Sequence, residues 1–85
     1  MKKSAQFIVK FNDLENCCRK LAKTYGNNAV LQFAESLSQD DYKQILELQH
    51  LRNMICHVDE TIEPTDSAMQ NLEKYLQLAK AQLVG

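Results

Sequence analysis

No charge of one sign dominates this sequence: ten basic residues stand against eleven acidic ones, a formal net charge of -1. A chain so balanced has no broad positive field to gather nucleic acid, so any contact with a phosphate backbone has to be local. A long apolar run is missing as well. Behind Lys2 and Lys3 no stretch approaches the roughly 20 apolar residues of a spanning helix, which predicts neither a standard signal peptide nor a membrane span. Cysteine is sparse and poorly spaced for chemistry. Cys17, Cys18 and Cys56 make an odd count with no zinc-like pattern, which argues against a closed disulfide framework and predicts a reducing, cytoplasmic setting. Such thiols are read as small buried hydrophobes. Internal repeats, low-complexity segments and the polar bias of disordered chains are absent too.

What remains is ordinary globular composition, 45% hydrophobic and 25% charged over 85 residues. That supports a single domain over residues 1–85. A core this small leaves a thin margin of stability, so association with a second copy is expected from size alone.

Helical spacing organises the chain. Phe7, Phe11, Leu14, Cys18, Leu21 and Tyr25 recur at alternating steps of four and three, placing them on one side of a helix that Ser4 can cap and Gly26 can end. Phe7, Val9 and Phe11 also alternate as in a short strand, and Asn12 with Glu15 could form a later capping box. The unbroken stripe favours the longer helix. Gly26-Asn27-Asn28 then signals a turn, and Val30, Phe33, Ala34 and Leu37 give a second helix of roughly three turns. Ser38, followed by Asp40 and Asp41, caps a third helix with the stripe Ile45, Leu48, Leu51, Ile55 and Val58, which Tyr42, Leu46 and Met54 can widen. Glu63-Pro64 breaks it, and Thr65 caps a fourth with Met69, Leu72, Leu76, Ala79 and Leu83. Tyr25, Tyr42 and Tyr75 read as core or rim residues. The expected fold is all-α, a four-helix bundle.

One short segment concentrates the polar chemistry. His50, Arg52, Asn53 and His57 bring two imidazoles, a permanent cation and an amide onto the last turns of the third helix. On an ideal helix Asn53 and His57 lie one turn plus about 40° apart, while Arg52 and His57 diverge by roughly 140°. Arg52 and His57 can therefore act on one phosphate only with help from a frayed helix end or from a second copy across a two-fold axis. Structural roles are open to the same residues: Arg52 can pair with Glu47, Asp59 or Glu60 at the surface, and His57 can cap the helix C-terminus. A zinc site is disfavoured, since His50, Cys56 and His57 lack a fourth ligand at suitable spacing.

Arg52-Asn53-Met54-Ile55-Cys56-His57 resembles the signature of HEPN domains, in which an arginine and a polar residue precede a histidine. The resemblance extends to an opening helix with Phe11-Asn12-Asp13-Leu14-Glu15, a following basic pair Arg19-Lys20, and a proline-capped last helix after Ile62-Glu63-Pro64-Thr65. It implies a HEPN-like bundle that dimerises and, in catalytic members, a metal-independent endoribonuclease without a cofactor. The RNA products would carry 2′,3′-cyclic phosphate and 5′-hydroxyl ends. In that scheme His57 is the acid–base residue, Arg52 the phosphate ligand and Asn53 an orienting group. The chemistry is sound, because imidazole titrates near neutral pH and guanidinium stays charged and grips phosphate through two parallel bonds. The resemblance also implies the toxin of a toxin–antitoxin or phage-defence system, with an antitoxin or nucleotidyltransferase partner. Asp59 departs from the tyrosine that many toxin-type members carry two residues after the histidine. A carboxylate there repels RNA phosphates unless it pairs with Arg52 or His57, and such pairing would raise the histidine pKa.

Overall fold

The computed structural model describes residues 2–23 and 29–85, and among them it contains four α-helices and no strand. These are α1 (Lys3–Ala22), α2 (Ala29–Glu35), α3 (Gln39–His57) and α4 (Asp66–Val84). Together they form a helical bundle around one apolar cluster to which every helix contributes. No helix among the described residues is long and apolar enough to cross a membrane.

The long first helix forms as the stripe predicts. Phe7, Phe11, Leu14 and Cys18 are all buried, and the Phe7 and Phe11 rings stack with centroids 6.1 Å apart. Each such side chain removed from water is worth roughly 1.5–3 kcal/mol. Both expected ends differ. Ser4 does not cap; it is buried within the first turn of the helix, and Lys2 takes the N-cap position in extended conformation without a side-chain bond. The first turn is tied down instead by Lys3, whose Nζ lies 2.7 Å from Asp66 Oδ1 at the start of α4. At the other end Lys23 adopts left-handed geometry (φ 53°, ψ 40°) and its amide bonds back to the last turn, closing the helix. Arg19 and Lys20 in that turn favour the negative end of the helix dipole. Tyr25, Gly26 and the Asn27-Asn28 turn lie outside the described residues.

The second helix is shorter than its stripe suggests. Ala29, Val30, Phe33 and Ala34 are buried, but α2 closes at Glu35 because the Ser36 hydroxyl donates to the Phe33 carbonyl at 2.6 Å. That bond competes with the helical ladder, and Leu37 N–H then turns tightly onto Ala34 O at 3.1 Å.

Ser38 and Thr65 cap as expected, accepting from the amides of Asp41 at 3.2 Å and Ala68 at 3.1 Å. On α4 the residues Leu72, Leu76 and Ala79 are buried, joined by Tyr75, whose ring is fully enclosed. Leu83 lies 38% exposed, since the helix runs past the core there. By contrast α3 buries only Ile45, Leu48 and Ile55. Val58 does not extend its stripe: it follows the helix as C-cap, 73% exposed.

Candidate functional site at the end of helix α3

The last turns of α3 carry Arg52, Asn53 and His57, and the core contact that holds them is Ile55, buried between the half-buried Leu51 and the helix end. Because Ile55 faces inward, its neighbours Asn53, Cys56 and His57 are exposed. The backbone ends cleanly here, with the Met54 carbonyl accepting from Val58 N–H at 3.0 Å and from Asp59 N–H at 2.9 Å. His57, the final helical residue, stands in solvent at the negative end of the helix dipole.

Arg52 turns the other way. Its Nη1 donates to Asn53 Oδ1 at 3.1 Å, and its Nη2 lies 4.0 Å from Glu15 Oε1 on α1. Its Nε is buried and has no hydrogen-bond partner among the described residues. Among the described residues no hydrogen bond or ion pair joins Arg52 to His57, in keeping with the divergence of their positions on the helix.

The surface partners anticipated for Arg52 are replaced by Glu15. Sequence spacing offered Glu47, Asp59 and Glu60 because they are near in the chain, whereas Glu15 reaches Arg52 only through the packing of α1 against α3. A signal for it was present: Glu15 sits beside the buried Leu14 and four residues before Arg19, so its side chain borders a neighbouring helix. Arg19 Nη2 is 3.5 Å from Glu15 Oε2 and its Nη1 is 3.4 Å from Asn16 Oδ1.

Asp59 pairs with neither Arg52 nor His57. It folds onto its own loop, accepting from the Thr61 hydroxyl at 2.6 Å and the Thr61 amide at 2.9 Å. Those two bonds, the hydroxyl first, hold its carboxyl below the usual carboxylate range. The carboxylate thus stays ionised and, among the described residues, without a cationic partner, held in a local motif typical of aspartate followed two residues on by threonine.

Beside these turns an open groove of about 580 Å³ runs between the start of α1 and the end of α3, lined by Ala5, Ile8, Val9, Ile55 and Cys56 with Lys2 and Glu60 on its rim. The thiols divide by burial. Cys18 is packed in the core and desolvation pushes its pKa from 9.0 up to about 12, so it behaves as a hydrophobe, whereas Cys56 is exposed. Among the described residues no three histidine, cysteine or acidic side chains are grouped to hold a metal ion.

A scan of protein-family models, a search of curated proteins and a search of solved structures each find no match to this chain.

Proposed function

We propose that the chain is a HEPN-like, metal-independent endoribonuclease that works as a homodimer in a reducing, cytoplasmic setting. The observation that carries this reading is the placement of His57 in solvent at the end of α3, five residues past an arginine that Asn53 and Glu15 keep oriented. His57 takes the proton of the ribose 2′-hydroxyl and returns a proton to the leaving 5′-oxygen, leaving a 2′,3′-cyclic phosphate. Arg52 neutralises charge that develops on the phosphate, and Asn53 keeps its guanidinium in place.

Arg52 and His57 of one chain point apart, so the reading requires a second copy, with each site taking groups from both subunits. The thin burial of α3 supports this: Leu46, Val58 and the exposed side of Met54's turn offer a surface that the rest of the bundle does not cover. The same reading includes an antitoxin or nucleotidyltransferase as a further partner.

Incubation of purified protein with single-stranded RNA in the presence of a metal chelator tests the activity. Cleavage to cyclic phosphate ends is expected, lost in Arg52→Ala and His57→Ala variants that keep their helicity; an intact RNA pool refutes the enzyme. A second reading, a non-catalytic nucleotide- or protein-binding module, is favoured by one observation, the apolar groove beside Cys56. It expects His57→Ala to leave RNA untouched while weakening capture of a bound partner.

A further inference from the structure

Glu15 stands between two arginines that belong to different helices. Arg19, one turn on along α1, faces Oε2 at 3.5 Å, and Arg52, across on α3, faces Oε1 at 4.0 Å. Each carboxylate oxygen thus looks at one guanidinium. Well-made bonds of this kind measure about 2.7–2.9 Å, so both contacts are loose. Arg52 has an unmet donor besides, its buried Nε. The charge count is uneven, with two permanent cations sharing one anion.

A phosphodiester offers what a carboxylate offers here: two equivalent oxygens sharing one negative charge. We propose that Glu15 is an internal stand-in for an RNA phosphodiester, holding Arg52 in the free protein and yielding it when RNA arrives, and that Arg19 is a second phosphate ligand. This rests on the reading of Arg52 as a phosphate ligand and assigns two further residues to that site. With RNA bound, the spare positive charge of the cluster is matched: the phosphodiester takes Arg52 from Glu15 and shares Arg19 with it. Asn16 and Asn53, whose Oδ1 atoms lie 3.4 Å and 3.1 Å from the arginines, keep both guanidiniums turned to the cluster during the exchange. The gate discriminates against dilute simple anions, because a ligand must outcompete a carboxylate already in place.

The test uses binding rather than cleavage. The probe is a fluorescent single-stranded RNA with 2′-O-methyl riboses, which cannot cyclise. Glu15→Gln keeps the shape of the side chain and removes its charge, and it is expected to tighten binding about tenfold by removing the competitor. Arg19→Gln is expected to weaken binding about tenfold and to lower the salt dependence by roughly one phosphate contact. Unchanged or weaker binding by Glu15→Gln, unchanged binding by Arg19→Gln, or no binding by the wild type overturns the proposal. If Glu15→Gln proves unfolded, the wild type decides: Nε–H resonances of both Arg19 and Arg52 should shift on addition of the probe, and failure of either to move overturns it. Probe binding with these dependences but no cleavage of ordinary RNA refutes the ribonuclease and leaves the gate standing. Cleavage that needs Arg52 and His57, with both variants binding as wild type does, refutes the gate alone.

Discussion

The hydroxyl of Tyr75 on α4 donates to Oδ1 of Asp41 on α3 at 2.7 Å, joining residues 34 apart in sequence at the start of the third helix. Gln44 Oε1 lies 2.8 Å from the same hydroxyl, and since a phenol has one proton, a half-turn of the Gln44 amide lets its NH2 donate to the tyrosine oxygen. Asp41 also accepts from the Ser38 hydroxyl at 2.9 Å and lies 3.6 Å from Lys74, whose Nζ stands over the Tyr75 ring at 5.0 Å. Tyr75→Phe should therefore lower Tm while preserving helical content. Combined with Asp41→Asn it should cost less than the sum of the two single changes, which a double-mutant cycle by thermal denaturation measures.

Stability should fall at both ends of the pH scale. Asp41 is held below the ordinary 3.8 chiefly by the Tyr75 bond, Asp59 by Thr61, Asp66 by Lys3, and Glu73 below 4.5 chiefly by Gln77. The unfolded chain takes up these protons first, so this stabilisation is full above about pH 5 and is lost as pH falls through the lowered folded values. In alkali the sign reverses. Burial raises Cys18 from 9.0 to about 12 and raises Tyr75 above 10.0, so the unfolded chain loses these protons first and stability declines from about pH 9 upward. Thermal melts across pH 3 to about 11 check both arms.

Core and site should separate cleanly. Phe7 and Leu14 are fully enclosed, and Phe7→Ala or Leu14→Ala should cost about 3–5 kcal/mol. His57→Ala, at an exposed position, should stay within about 0.5 kcal/mol of wild type. Denaturant titration of the three variants measures this.

The two polar caps that were legible in the sequence give smaller effects. Ser38→Ala and Thr65→Ala should each cost about 1 kcal/mol by the same titration.

If each site takes Arg52 from one subunit and His57 from the other, two dead variants should rescue one another. Mixing Arg52→Ala with His57→Ala under conditions of subunit exchange should restore RNA cleavage, because the mixed dimer contains one site with both groups. Absence of rescue would place the two groups of a working site on the same chain.

The caps and stripes were legible because they depend on residues within a turn or two of each other. Ser38 and Thr65 sit directly ahead of the amides they bond, and Phe7, Phe11, Leu14 and Cys18 follow one helical period. Lys23 was not legible, since nothing in a lysine's chemistry announces left-handed backbone. The early end of α2 escaped for a related reason, because Ser36 could equally have pointed to solvent. At the site, the divergence of Arg52 and His57 followed from helical angles alone, whereas the Glu15 and Tyr75 contacts required knowing which helices meet.

The sparse anchoring of α3 has an evolutionary consequence. With Phe7, Leu14, Leu72 and Tyr75 carrying the fold on α1 and α4, the outward positions of α3 such as Leu46, His50, Asn53 and His57 are released from folding duty. Mutations there can change the chemistry of the surface without first unfolding the bundle, so one helix is free to drift while the other elements hold the core.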